Sequence, residues 1–129
     1  MPLSITAIYA SILALVILAL GINVTVHRVK LKVSLGDGGN PVMLRMMRLH
    51  ANAIEYVPCA LLLMAIYEIN GGWHWALHVV GIALVAGRLI QTWAMWPTDV
   101  AGPGRGIGQT LTWASIGVLA LLNLAKVIG

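Results

Sequence analysis

The chain has 129 residues, of which 60% are hydrophobic and only 9% are charged, and its mean hydropathy is +0.91. Soluble domains carry roughly a quarter charged residues, so this composition excludes an ordinary soluble fold. Eight lysines and arginines against four acids give a net charge of +4. No exposed basic stripe with interleaved aromatic residues accompanies that charge, so we expect no nucleic-acid partner.

Four apolar segments predict an all-α integral membrane protein, a four-transmembrane-helix bundle forming one domain over residues 1–129. Each crossing needs about 20 apolar residues, and the predicted spans are about 5–26, 41–69, 74–96 and 105–128. The first span has no charge and no preceding Lys or Arg, unlike a cleavable signal. Asn40 and Pro41 are typical of a helix start, and a Gly/Pro loop precedes the fourth span.

The distribution of lysine and arginine predicts the orientation. Loops one and three, with the adjoining helix ends, carry most of these cations: Arg28, Lys30, Lys32, Arg45, Arg48 and Arg105. Loop two carries none, and the C-terminal end has only Lys126. Because basic loops stay in the cytoplasm, we expect both termini to lie outside.

The second span carries a polar stripe. Arg45, Arg48, Asn52 and Glu55 fall within roughly 80° of the helix surface at about 100° per residue. An ionised side chain at the bilayer centre costs about 2.5–3.5 kcal/mol on insertion scales. The stripe is therefore expected to face the bundle or a subunit interface.

Arg88 is the one charge in the body of the third span, at a depth comparable to that of Glu55. Two interpretations stay open here: a buried Glu55–Arg88 ion pair, or contacts of these residues with a ligand. On the cytoplasmic half, Arg45, Arg48, Arg88 and Arg105 oppose Glu55 and Asp99. This surplus favours a small anionic ligand, because guanidinium matches carboxylate and phosphate geometry. A lipid or apolar co-substrate would lie beside it.

Two other patterns indicate structure rather than chemistry. His74 and His78 are four residues apart, but no third ligand lies nearby, so they are interpreted as interfacial and no metal site is predicted. Gly108, Thr112 and Ser115 form a small-residue face that predicts close helix packing.

The segment Arg45-Met-Met-Arg48-Leu-His-Ala-Asn52-Ala-Ile-Glu55-Tyr56-Val-Pro58 resembles the second-helix signature of the MAPEG family. These are membrane-associated proteins in eicosanoid and glutathione metabolism, including microsomal glutathione transferases and the leukotriene and prostaglandin E synthases. Gly87-Arg88-Leu89 resembles the family's third-helix arginine motif, and Arg105 with Thr110-Leu111 its fourth-helix arginine. The loop Gly36-Asp37-Gly38-Gly39 is most similar to the small bacterial branch.

The resemblance implies a homotrimer, expected in a bacterial inner membrane, with glutathione bound between subunits near the cytoplasmic face. Glutathione-binding or site-ordering roles would fall to Arg45, Arg48, Asn52, Glu55, Tyr56 and Arg88. Arg105 would be the catalytic arginine that stabilises the thiolate, since a nearby cation lowers the pKa of a thiol.

The leading function hypothesis is a glutathione transferase or peroxidase acting on a hydrophobic electrophile or lipid hydroperoxide. The alternative is a non-catalytic relative that binds glutathione or a lipid and acts through partners. Gln91 and Met95 stand where active members often have tyrosine, and Gly106 where the prostaglandin synthase has serine. A small multidrug transporter ranks third, because such transporters centre on an acidic residue in the first helix and this first helix has none.

Overall fold

The computed structural model describes residues 1–97 and 102–129. These residues form four α-helices and no strand: α1 (Ser4–Leu31), α2 (Pro41–Ile69), α3 (His74–Met95) and α4 (Pro103–Ile128). Each helix is long and apolar enough to cross a membrane. The predicted all-α, four-helix membrane fold is confirmed.

The helix ends follow local capping chemistry. The Asn40 side chain accepts hydrogen bonds from the backbone N–H groups of Val42 and Met43 at 2.9 and 3.1 Å, and Pro41 occupies the first turn of α2. Pro103 starts α4 in the same way, earlier than the predicted start at Arg105, because proline lacks only an N–H that has no helical partner there. Helix α1 continues through the basic run and ends at Lys32, whose φ is +56°.

Helices α2 and α3 form the centre of the bundle, and each of them contacts all the other helices. Helices α1 and α4 lie on either side and make no close contact with each other over the described ranges. The core has three layers along the bundle axis. Near the termini the layer includes Tyr9, Tyr67 and Leu77; the middle layer includes Leu13, Val57 and Leu84; the layer nearest loop one includes Leu20, Met46 and Met95.

A carboxylate joins α1 to α2 at the end of the bundle near the termini. Glu68, in the last turn of α2, is 9% exposed and accepts hydrogen bonds from the N–H groups of Ile5 at 2.9 Å and Thr6 at 2.7 Å. The first N–H groups of a helix have no intrahelical partner and carry partial positive charge. Glu68 therefore caps α1. A carboxylate is unfavourable at the C-terminus of its own helix, where the helix dipole is negative. An acid at this position in the sequence therefore indicates that it pairs with another element.

Candidate functional site

Helices α3 and α4 make the most extensive contact of the bundle, and two glycines permit it. A Cβ atom on Gly108 would lie 2.6 Å from the carbonyl oxygen of Gly87, and one on Gly87 would lie 2.9 Å from that of Gly108. Gly108, Thr112 and Ser115 are all buried along this side of α4. The predicted small-residue face does pack closely against its neighbour.

This close crossing surrounds Arg88 with neutral oxygen atoms. Arg88 is 3% exposed. Its guanidinium donates to the side-chain oxygen of Asn52 at 2.5 Å, to that of Gln91, and to the carbonyl oxygen of Gly108 at 3.5 Å. Within the described ranges no carboxylate pairs with it. Arg88 is thus a buried cation held by dipoles alone.

Of the two interpretations left open from the sequence, the buried Glu55–Arg88 ion pair is wrong. Glu55 instead pairs with Arg48 of the same helix, with 3.4 Å between Nη1 and Oε1 and both side chains about half exposed. Asn52 takes the place facing Arg88, because Glu55 is rotated by about 60° round the helix from Asn52. The polar stripe and Arg88 do lie at similar depths, as expected. The angular position of a residue around α2 decides which side chain reaches α3.

Three of the predicted arginines meet at a small cleft between the beginning of α2, the end of α3 and the beginning of α4. The cleft has a volume of about 200 Å³ and is lined by Pro41, Leu44, Arg45, Arg48, Met95 and Arg105. The Nε atom of Arg45 is buried and has no hydrogen-bond partner among the described residues. A donor left over in this position suits an anionic ligand.

A larger polar cleft adjoins the first. Its volume is about 470 Å³, and it is lined by Asn52, Tyr56, Gln91, Gly102, Arg105, Gly106, Gln109, Thr110 and Trp113. Arg105 lines both clefts, so one exposed guanidinium connects them. The two clefts thus meet at the first turns of α4.

The seven predicted site residues take distinct positions around these clefts. Arg45 and Arg48 line the smaller cleft, Asn52 and Tyr56 the larger one, and Arg105 both. Arg88 bonds to two lining residues of the larger cleft, Asn52 and Gln91. Glu55 lines neither cleft and contacts the site through Arg48. Five of the seven therefore line a cleft, and the other two bond directly to residues that do.

Arg88 also orients the side chains around it. Guanidinium only donates hydrogen bonds, so Asn52 and Gln91 must each turn their carbonyl oxygen toward it. The NH₂ group of Gln91 then donates to the sulfur of Met95 at 3.6 Å. The NH₂ group of Asn52 is left as a donor beside the larger cleft. Arg88 thereby adds donors to the cleft without lining it.

The electrostatic balance of the site is positive. Among the described residues, Arg45, Arg48, Arg88 and Arg105 lie in or beside the clefts with Glu55 as the acid paired to one of them. Asp99, the other acid considered from the sequence, lies outside the described residues. Unpaired cations in a low-dielectric setting are costly. The arrangement can therefore bind a small molecule with negative charges.

Two glutamines of the site were missed as site residues by sequence reasoning. Gln91 was noted only as a replacement for tyrosine, yet it accepts from Arg88 and is 5% exposed. Gln109 lines the larger cleft, and both polar atoms of its side chain are buried without partners. The available signal was spacing, since Gln109 follows Arg105 by one helical turn.

One histidine of the pair at the other end of α3, His78, contacts α1. The Tyr9 hydroxyl lies 2.9 Å from Nδ1 of His78 and the two rings meet edge to face. In the described part of the chain, no group of three His, Cys, Asp or Glu side chains is placed to bind a metal ion.

These features define the class: a membrane protein of four transmembrane helices with a cationic cleft between α2, α3 and α4. The sequence model of the MAPEG family matches residues 6–125. The chain is 34% identical to the inner membrane protein YecN of Escherichia coli strain K12 over 120 residues, which cover 93% of this chain and 90% of the relative. The values are the same for YecN of Escherichia coli O6:H1 strain CFT073. The chain belongs to the MAPEG family.

Proposed function

We propose that this protein binds glutathione and uses it as a transferase or peroxidase acting on a hydrophobic electrophile or lipid hydroperoxide. One observation carries the proposal: two joined clefts contain more arginines than acids, and a buried arginine behind them has only neutral partners. Membership of the MAPEG family supports glutathione as the ligand, and the guanidinium groups that line the clefts suit its carboxylates.

The donor set fits the charges of glutathione, which has two carboxylates and one ammonium group. Arg45, Arg48 and Arg105 surround the smaller cleft and suit a carboxylate. Glu55, paired with Arg48 at 3.4 Å and half exposed, is free enough to accept from an ammonium group. The unpartnered Nε of Arg45 supports a bound anion at this position.

Glutathione would supply a nucleophilic thiol. Arg105 stands where the two clefts join, so its guanidinium can hold the thiolate form and increase the reactive fraction at neutral pH. Tyr56 and Thr110 line the same cleft and offer hydroxyl groups to a substrate oxygen. Arg88 is a positioning residue in this proposal, because it orients Asn52 and Gln91.

A hydrophobic second substrate has a place beside the polar clefts. An apolar groove of about 800 Å³ lies between the end of α3 and the beginning of α4, with Leu89, Trp93 and Trp96 in its walls. Gly102 lines both this groove and the larger polar cleft. A lipid-like substrate in the groove would have one end close to Arg105.

The wider arrangement follows from the family and from charge. We infer a homotrimer in a bacterial inner membrane, with both termini outside and the site near the cytoplasmic face. The basic ends of α1 and α2 and the start of α4 lie at one end of the bundle, as positive-inside topology requires. The YecN relatives are named as inner membrane proteins.

A non-catalytic binding protein is the second candidate, and the surroundings of Gln91 favour it. Active relatives are expected to have tyrosine near this point, whereas here Gln91 and Met95 are buried; Gln91 accepts from Arg88 and donates to the sulfur of Met95. Gly106 likewise brings no hydroxyl to the cleft. Turnover assays separate the two candidates.

The test is isothermal calorimetry of glutathione binding to detergent-purified protein. Arg48→Gln and Glu55→Gln are expected to weaken binding by at least tenfold each, since each removes one charged contact. Lys30→Gln, which removes an exposed cation at the end of α1, should bind as the wild type does. A folded wild type without measurable affinity refutes the proposal. If it binds, product formation from an aryl halide or an organic hydroperoxide distinguishes an enzyme from a binding protein.

A further inference from the structure

Gln109 is unusual among the buried polar side chains of this molecule. In the described part of the chain it is the one residue with two side-chain polar atoms, an amide nitrogen and an amide oxygen, that are both buried and unpartnered. Asn123, further along α4, provides a contrast: its oxygen is unpartnered, but its NH₂ group donates to the carbonyl oxygens of Leu63 and Leu119 at 3.0 Å each.

The position of Gln109 explains where a partner can come from. Gln109 lines the larger cleft and is partly exposed as a whole, but both polar atoms of its carboxamide are buried. It follows Arg105 by four residues, about 6 Å of helical rise. An unpaired buried amide is unfavourable, because it has lost its hydrogen bonds to water without gaining others. A cleft ligand that both donates and accepts would remove this penalty.

The hydroxyl groups of Tyr56 and Thr110 donate and accept through one oxygen atom, and no other lining carboxamide or guanidinium offers a free donor beside a free acceptor. Arg105 only donates, and Asn52 has its oxygen bound to Arg88, which leaves only its NH₂ group. The Gln91 oxygen is bound to Arg88 and its NH₂ group faces Met95. Gln109 is therefore the carboxamide of the cleft with both functions free.

We propose that Gln109 recognises the central residue of the bound peptide thiol, accepting a hydrogen bond from the N–H of one peptide group and donating one to the C=O of the other. This inference rests on the proposed glutathione function and adds a specificity-determining residue to it. The thiol of glutathione belongs to its central residue, so both peptide groups lie within a few bonds of the sulfur. With the thiolate at Arg105, a peptide group comes to the level of Gln109, one turn along α4. The site would thus select peptide thiols over simple thiols.

The experiment compares glutathione with two ester analogues, each with one of the two peptide nitrogens replaced by oxygen. The ester lacks the N–H that Gln109 would accept. Calorimetry on the full chain in detergent should give about tenfold weaker binding of at least one analogue to the wild type. In Gln109→Met, glutathione should bind about as weakly as that analogue does. Asn123→Leu, a control that loses a carboxamide of the same helix, should still prefer glutathione.

The outcomes separate this inference from the function on which it rests. A wild type that binds no glutathione refutes the proposed function and the inference together. A wild type that binds glutathione and both esters equally, or a Gln109→Met variant that keeps the wild-type preference, refutes the inference alone. A second readout is the thermal midpoint of the ligand-free protein. A large drop in Gln109→Met would mean that the carboxamide is paired inside the protein or across subunits, and would overturn the inference.

Discussion

The glycine pair at the α3–α4 crossing offers a sharp test, because two glycines of the same helix have opposite surroundings. In Gly108→Ala the new methyl group would lie 2.6 Å from the Gly87 carbonyl oxygen and 2.7 Å from Cβ of Gln91. Neither atom is the end of a flexible side chain, so the helices must separate. In Gly117→Ala nothing lies within 4 Å of the new atom.

The comparison isolates the helix contact. Both variants gain the same advantage in helix propensity, up to about 1 kcal/mol. Their difference is then the overpacking penalty, which is typically about 1–3 kcal/mol in a well-packed core. We expect Gly108→Ala to be less stable than Gly117→Ala by that amount. Its Arg88 should also lose the bond to the Gly108 oxygen, which is already 3.5 Å long.

The assay is reversible unfolding by SDS titration from mixed micelles, followed by circular dichroism. Gly108→Ala should unfold at a lower SDS fraction than the wild type, and Gly117→Ala at the same or a higher one. Equal stability of the two variants would refute the close crossing of α3 and α4 at Gly87 and Gly108.

Three further predictions use the same titration. Glu68→Gln should lower the free energy of unfolding by about 1.5–3 kcal/mol, because the NH₂ group of glutamine cannot accept from a backbone N–H. Glu55→Gln is the control; it removes an exposed ion pair and should lower the same free energy by at most about 1 kcal/mol. Equal losses in the two variants would contradict the cap. Arg88→Lys should lose about 1–3 kcal/mol, since one ammonium group cannot reach three separated acceptors; wild-type stability would show that those bonds are not needed. Asn40→Ala should lose about 1 kcal/mol by removal of the α2 cap, and an unchanged midpoint would argue against that cap.

Local sequence signals were enough for the helices. Hydropathy and the Asn40-Pro41 cap gave the start of α2 correctly, because capping depends only on neighbouring residues. The start of α4 was placed late, since Pro103 was assigned to a loop although proline is well suited to a first helical turn. That error is two residues, whereas α1 continues five residues beyond the end of its predicted span.

The site was harder to predict, because it depends on how helices face one another. Spacing along α2 located the polar stripe. The depth of the stripe along its helix correctly placed it at the level of Arg88 on α3. Depth does not fix the angle between helices, so Asn52 and not Glu55 contacts Arg88. Spacing puts Gln109 one helical turn after Arg105, but only the packed bundle reveals that its carboxamide lacks partners.

The cap formed by Glu68 has a consequence for the order in which the protein is assembled. The first N–H groups of α1 are satisfied by a carboxylate more than sixty residues later in the chain. During synthesis the first N–H groups of α1 therefore lack this acceptor when α1 is inserted. They gain it only when α2 has been inserted alongside. The first hairpin is in this sense a single unit of membrane insertion, closed by its last acidic residue.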